Sequence, residues 1–112
     1  GHRIEIKYSR LWTDTHQYVF QQIRNQNYDY MLCLGVSPFD AHAWFIPKSE
    51  LMQDRPCLSH QHGGSAGTDT RWLQFPANNP PSWLNQFGGR LATVKDLIVK
   101  AGRGRQTGRT SR

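Results

Sequence analysis

Residues 4–12 read IEIKYSRLW, and this stretch decides how the rest of the chain is interpreted. Apolar and charged residues alternate along its first half, which predicts a β-strand with one apolar and one polar face. Because residues two apart on a strand point to the same side, Glu5 and Lys7 are expected to share one face, with Ile4 and Ile6 on the other. A carboxylate that holds a divalent cation beside an ammonium that stabilises negative charge is the pairing that metal-dependent phosphodiester cleavage needs. A half-buried strand with a simple ion pair has the same pattern, so both readings stay open.

The pattern after this strand predicts the order strand, helix, strand, strand, followed by helices and loops. A helix is predicted over residues 16–24, since Val19 and Ile23 are spaced i, i+4 and give it an apolar stripe. Residues 28–36 form a strand that ends in a nearly continuous apolar run, as expected for the centre of a sheet. Residues 41–47 form a further strand, rich in aromatic residues.

The remainder of the chain is predicted to contain short elements. These are a short helix at 49–53, a polar loop at 56–70, a short edge strand at 71–75, a helical turn opening at 82, and a helix from 93 to about 100 that Gly102 caps. Residues 1–101 are therefore expected to form one domain, with a core at 3–48 and C-terminal loops and helices at 49–101. Residues 102–112 are expected to be a disordered basic tail, because they are rich in Gly, Ser and Thr and lack an apolar anchor.

Basic charge is concentrated at the end of the chain. The 112 residues contain 14 Lys and Arg against 8 Asp and Glu, a net charge of +6, and four of the arginines lie in the tail. Such a tail attracts phosphates at low salt, although a solvated linker has the same composition. The arginines expected to contact nucleic acid are Arg103 and Arg105 in the tail and Arg10 and Arg24 near the first strand.

The polar loop carries the other candidate contacts. His60 and His62 flank glycines that let backbone approach a ligand closely, so both are candidates for contact with DNA. With Cys57 they also have the spacing of zinc ligands, and His42 or Cys33 is a candidate fourth ligand. A single cluster is weak support for zinc, and Cys33 lies in an apolar run that is typical of a core thiol.

Nothing in the chain indicates a membrane protein or a secreted one. No apolar run is long enough to cross a bilayer, no signal peptide is visible, and the two cysteines require no disulfide. The prediction from these features is a cytoplasmic protein without a membrane partner.

The E-x-K strand, a helix with a glutamine and a hydrophobic strand, in this order, resemble the core of the PD-(D/E)xK nuclease superfamily, and within it the restriction-endonuclease-like proteins. The resemblance covers residues 3–48 and rests on the segments IEIKYSRLW, FQQIRNQNYDYMLCLGV and AHAWFIPKSEL. It implies an α/β fold, with a mixed sheet flanked by helices, and a metal-dependent DNA endonuclease that hydrolyses phosphodiester bonds.

The resemblance also implies roles for individual residues. Glu5 matches the family's metal ligand, with the backbone carbonyl of Ile6 beside it, and Lys7 matches the catalytic lysine. Gln22 matches a helix glutamine that points toward the active site. The implied cofactor is Mg²⁺ or Mn²⁺, and the implied partner is DNA, with a homodimer expected because duplex cleavage needs two sites.

One departure from the family pattern leaves a second class of function open. The family's first acidic residue lies on a strand before the E-x-K strand, whereas only four residues precede Glu5 here and none of them is acidic. The fold is therefore expected to be incomplete at its N-terminus, and this chain alone to be inactive if the acid is absent. A non-catalytic nucleic-acid-binding or protein-interaction module of the same fold is the alternative function.

Overall fold

A computed structural model describes residues 2–61 and 70–110 of the chain, except for the side chains of residue 61 and residues 103–110. The elements follow one another as β1 (Ile4–Arg10), β2 (Gln17–Arg24), β3 (Tyr30–Val36), β4 (Ala41–Pro47), α1 (Lys48–Leu51), β5 (Leu58–Gln61), β6 (Thr70–Pro76), a 3₁₀ helix (Ser82–Phe87), β7 (Gly88–Gly89) and α2 (Leu91–Thr110).

The strands form two sheets. A mixed sheet has the order β1-β3-β4-β7, with β1 and β3 parallel and the other neighbours antiparallel. An antiparallel sheet has the order β2-β6-β5. The fold is thus an α/β fold with mixed and antiparallel sheets and few helices, which confirms the predicted class at this level.

The mixed sheet is the middle layer of the molecule. Alternate residues of β3 and β4, such as Cys33 and Trp44, lie in the main core with Phe20 and Phe75 of the antiparallel sheet. The intervening residues of the same strands face α2, and Phe45 packs there in a second cluster with Val94. Because alternate side chains of a strand point to opposite faces, β3 and β4 contribute residues to both clusters.

The predicted helix at residues 16–24 was wrong, because this segment is strand β2. Tyr18, Val19 and Phe20 are consecutive and all buried, a pattern that suits a strand covered on both sides and not one stripe of a helix. Aromatic and β-branched residues favour strands, and pairing with β6 satisfies the backbone. His16 also has a φ of 55°, which interrupts any right-handed helix that starts there.

The other strand predictions agree with the structure in most respects. β1, β3 and β4 lie where the pattern placed them, and β3 is a central strand between β1 and β4. β6 also lies where it was expected, but it is the middle strand of its sheet and not an edge strand. The predicted polar loop contains β5, which pairs with β6, and residues 62–69 of that loop lie outside the described residues.

The last helix is longer than the sequence predicts. α2 runs from Leu91 to Thr110, so the predicted end near Lys100 was wrong. Gly102 lies inside the helix, where a glycine costs roughly 1 kcal/mol relative to alanine without ending it. Residues 102–110, predicted as part of a disordered tail, have helical backbone in the structure, and residues 111 and 112 lie outside the described part. Within the described residues, no helix is both long and apolar enough to cross a membrane.

Candidate active site on the inner face of β1

The two faces of β1 differ as the sequence predicts. Glu5 and Lys7 lie on the face toward the antiparallel sheet, and Lys7 Nζ is 3.9 Å from Glu5 Oε1. Their side chains are 40% and 22% exposed, respectively. Ile4 and Ile6 lie on the opposite face, where Ile6 is 64% exposed. The shared face of the charged pair is therefore confirmed, and the apolar face is the more open of the two.

A serine ties β1 to the antiparallel sheet beside this pair. Ser9 is buried, and its Oγ accepts a hydrogen bond from the Val19 backbone N–H at 2.9 Å while donating to the Arg10 carbonyl at 2.9 Å. A backbone bridge between Trp12 and Gln17 closes the connection between β1 and β2. These hydrogen bonds hold the C-terminal end of β1 against β2.

A cleft of about 1070 Å³ opens between β1, the connection that follows it, and β2. Three of the residues predicted from the sequence line it: Lys7, Arg10 and Gln22. The cleft thus brings together the predicted lysine, the predicted glutamine and one predicted phosphate contact.

Gln22 reaches the cleft through a β-bulge and not from a helix. The pairing of β2 with β6 shifts between Phe20 and Ile23, so that Gln21 and Gln22 together oppose a single residue of β6. Gln22 has a φ of 58°, a left-handed conformation that is uncommon for a residue with a Cβ. Bulges re-aim side chains and occur often beside active sites, and both glutamines line the cleft here.

Two titratable groups near the charged pair stay neutral at ordinary pH. Burial raises the pKa of the Cys33 thiol to about 12, against the opposing effect of the Lys7 charge. Burial also raises the pKa of Tyr28 to about 12, and the negative charge of Glu5 acts in the same direction. The Tyr28 hydroxyl donates to the Arg24 carbonyl at 2.8 Å. The thiol and the phenol near Glu5 and Lys7 are therefore uncharged.

Two oxygen donors lie at this part of β1, the Glu5 carboxylate and the Ile6 backbone carbonyl. Leu11 N–H donates to Val36, and Arg3 C=O accepts from Tyr30, so the odd-numbered residues of β1 direct their backbone groups toward β3. Alternation along the strand then directs the Ile6 carbonyl to the open edge. Mg²⁺ is commonly bound through one or two carboxylates together with substrate phosphates and waters. Among the described residues, no group of three or more His, Cys, Asp or Glu side chains is placed to hold a metal ion.

Glu5 and Ile6 do not line the cleft, although Glu5 Oε1 is 3.9 Å from Lys7 Nζ, and the remaining predicted residues are not gathered there either. Arg24 is exposed at the end of β2 and does not line it. His60 is exposed on β5, where its Nε2 lies 3.3 Å from Asp54 Oδ1. His62 and the side chains of Arg103 and Arg105 lie outside the described residues.

The candidate zinc ligands that the structure describes do not form a group of three. Cys57 is exposed, whereas Cys33 is fully buried, as the core-thiol reading predicts. His42 accepts or donates a hydrogen bond at Nδ1 with the Tyr18 hydroxyl, 3.1 Å away. His62 lies outside the described part, so a zinc site formed by Cys57, His60 and His62 stays a prediction.

Ser9, Gln21 and Asp14 are among the polar residues of the cleft that sequence reasoning missed. Ser9 shares the inner face with Glu5 and Lys7, so the two-residue period that selected those residues also selects it. Gln21 lines the cleft only because of the bulge. No local pattern in the sequence marks that bulge, since it depends on the register against a strand about fifty residues later.

Comparison with known protein families, with characterised proteins and with solved structures finds no match to this chain. The function proposed below rests on the geometry of the cleft and on the resemblance carried by the E-x-K strand.

Proposed function

We propose that the chain carries the active-site strand of a metal-dependent DNA endonuclease of the restriction-endonuclease-like type, within the PD-(D/E)xK superfamily. The observation that carries the proposal is the position of Lys7, which lies 3.9 Å from the Glu5 carboxylate and lines one cleft with Gln22. The resemblance alone expects the glutamine on a helix. Gln22 lies instead in the bulge of strand β2, so the helix that the resemblance expects is not found at residues 17–24, and the proposal rests on Glu5, Lys7 and the cleft.

Lys7 is the residue assigned to the chemical step. Its side chain is 22% exposed and the residue lines the cleft, where a positive charge would stabilise the negative charge that develops on a phosphate under attack. The same ammonium can donate a hydrogen bond to the attacking water. Gln22 supplies an amide that donates to or accepts from that water, with its position set by the bulge.

Glu5 and the Ile6 carbonyl are the protein groups assigned to hold Mg²⁺ or Mn²⁺. Bound there, such a cation would supply Lewis acidity toward the scissile phosphate and the attacking water. Arg10 lines the cleft with Lys7 and is assigned to a neighbouring phosphate, since guanidinium matches phosphate oxygens in a bidentate manner. Contacts of this kind fix the DNA in register without reading its sequence.

A second candidate is a non-catalytic nucleic-acid-binding module, and one observation favours it. Glu5 stands without a cluster of acidic or histidine ligands among the described residues, so the protein part of any cation site is small. In this alternative, Lys7 and Arg10 bind phosphates and no bond is broken.

The two candidates are separated by cleavage and binding assays on the protein. We expect cleavage of duplex DNA with Mg²⁺ or Mn²⁺, and we expect Lys7→Ala to slow it by several orders of magnitude while DNA affinity changes less than a few-fold, because Lys7 acts on the chemical step. Lys95→Ala, an exposed lysine of α2, is the matched control and should leave both unchanged.

Equal losses of cleavage and binding in Lys7→Ala would assign Lys7 to a phosphate contact. DNA binding by the wild-type protein without cleavage, over varied sequences and both cations, would favour the non-catalytic module.

A further inference from the structure

β1 is an edge strand with an exposed apolar face. It occupies the end of the mixed sheet, and among the described strands only β3 pairs with it along its length. On its outer face Ile4, Ile6 and Tyr8 are 41%, 64% and 57% exposed, although large apolar side chains usually lie inside. The apolar side chains of α2 that the structure describes in this cluster pack with residues of β3 and β4 and not with Ile4, Ile6 or Tyr8. Exposed edge strands of this kind are templates for pairing with another strand.

The backbone groups that are free to pair at the open edge of β1 belong to alternate residues. Since the odd-numbered residues bond to β3, the backbone groups of Ile4, Ile6 and Tyr8 are directed to the edge. In an antiparallel pair, the residues that exchange hydrogen bonds lie opposite one another, and the residues between them form the closer non-hydrogen-bonded pairs, with Cα atoms about 4.5 Å apart. Any strand added here must place its bonded residues opposite Ile4, Ile6 or Tyr8.

The side chains of β1 are complementary to a second copy of β1 in one such register. A two-fold axis through Ile6 sets Ile6 against itself and Ile4 against Tyr8 of the second copy in the hydrogen-bonded positions. Glu5 then faces Lys7 of the second copy, and Lys7 faces Glu5, in both close positions. Opposite charges directly across a strand pair stabilise it, as do aromatic residues opposite β-branched ones.

Neighbouring registers are disfavoured by the same residues. An axis through Glu5 sets the two glutamates against each other, and an axis through Lys7 does the same for the two lysines. An axis between residues sets a charged side chain opposite an apolar one and disrupts both faces. Charge thus selects one register and rejects its neighbours.

We infer that β1 is a homodimerisation strand, pairing antiparallel with β1 of a second copy about a two-fold axis at Ile6. The interface unites the mixed sheets of the two copies and brings their exposed Ile4, Ile6 and Tyr8 side chains together on the outer face. Closed two-fold symmetry uses the same surface on both subunits, as this register requires. A single pair of short strands buries little surface, so we expect a dimer that dissociates on dilution.

This inference does not rest on the proposed function. Pairing engages the Ile6 carbonyl, which is also assigned to the cation, so the association measurements are made without divalent ions. A negative result for cleavage leaves the dimer untouched, and a negative result for association leaves the nuclease proposal untouched.

The test is a charge-exchange experiment followed by sedimentation equilibrium across a range of concentrations. The wild-type chain should show a reversible monomer–dimer equilibrium. Glu5→Lys sets lysine against lysine and Lys7→Glu sets glutamate against glutamate, so each variant alone should be monomeric at concentrations where the wild type is dimeric. An equimolar mixture of the two variants should form a heterodimer, because every cross-strand pair is then opposite in charge. The double variant Glu5→Lys/Lys7→Glu should again form a homodimer.

Two further variants test whether the apolar face of β1 itself is needed for dimerisation. Ile6→Lys should abolish the dimer, whereas Val99→Lys, at an exposed apolar position of α2, should leave it intact. Circular dichroism and thermal unfolding establish that each variant is folded. A wild type that stays monomeric at all concentrations, single variants that dimerise like the wild type, or a mixture that stays monomeric would each overturn the inference.

Discussion

Cys33 lies beside Lys7 and is kept as a neutral thiol by its burial. It is the register partner of Lys7 across the parallel pair of β1 and β3, and none of its surface is exposed. Burial raises the pKa of this thiol from its ordinary value of 9.0 to about 12, because a thiolate would be left in the core without water. A thiol in this state is a poor nucleophile and a poor metal ligand, so Cys33 is not a candidate for either role.

This burial makes folding sensitive to alkaline pH. The unfolded chain releases the Cys33 proton near pH 9, whereas the folded chain holds it to about pH 12, so the stability that the neutral thiol contributes is full below pH 9 and is lost as pH rises to 12. Tyr28 acts in the same direction from 10.0 to about 12. The melting temperature of the wild type should therefore fall between pH 9 and pH 12. The melting temperature of Cys33→Ala should fall less steeply over the same range, even if it differs from the wild type at neutral pH. Cys57→Ala, at an exposed cysteine, is the control and should follow the wild-type slope. Parallel profiles for all three proteins would show that Cys33 is not the titrating group.

At the scale of elements, the local sequence pattern correctly predicted the strand in which apolar and charged residues alternate regularly. It failed for β2, where pairing with a distant strand determines the secondary structure. The charged and apolar residues of β1 alternate without exception from Ile4 to Lys7, so its faces could be assigned from sequence. The segment of β2 fits a helix and a strand equally well by spacing, since Val19 and Ile23 are four apart. The choice is made by β6, which lies about fifty residues later and pairs with β2. The bulge has the same origin, because an extra residue exists only relative to a partner strand.

The bulge can be tested by glycine substitution at its two residues. Gln22→Gly should keep or raise stability, by up to about 1 kcal/mol, because glycine adopts a φ of 58° without strain. Gln21→Gly should lower stability by roughly 0.5–1 kcal/mol, because Gln21 has no positive φ and glycine in a strand costs backbone entropy. Urea unfolding of both variants gives the comparison. If Gln22 acts in catalysis, Gln22→Gly should also cleave DNA more slowly than its stability would suggest. Equal destabilisation at both positions would contradict the assigned backbone conformation.

At the scale of the molecule, the apolar residues and the arginines of α2 lie in different parts of the helix. The apolar residues of α2 that pack on the mixed sheet, Val94, Leu97, Ile98 and Ala101, all precede Gly102. The four arginines that follow carry most of the net charge of +6. Composition alone therefore located the basic segment, whereas the length of α2 and the layering of the sheets depend on contacts that no local window contains.

Removal of residues 102–112 separates these roles. Folding should change little, because no residue of the α2 cluster is deleted. DNA affinity should fall, and the slope of log affinity against log salt should flatten by up to about 0.9 for each lost phosphate contact. Sequence preference should persist, because phosphate contacts carry none. A markedly lower melting temperature would show that this segment packs on the domain, and an unchanged salt slope would place DNA binding at the cleft.

The most direct test of the assignment of β1 is the binding of a paramagnetic cation. In ¹H–¹⁵N NMR spectra of the labelled chain, low concentrations of Mn²⁺ should broaden the amide signals of Glu5, Ile6 and Lys7 first, and an excess of Mg²⁺ should reverse the effect. Glu5→Gln should abolish this broadening, whereas Glu50→Gln, at a carboxylate paired with Arg55, should preserve it. Broadening centred on His60 and its neighbours, or broadening at β1 that survives Glu5→Gln, would contradict the proposal that Glu5 holds the cation beside Lys7.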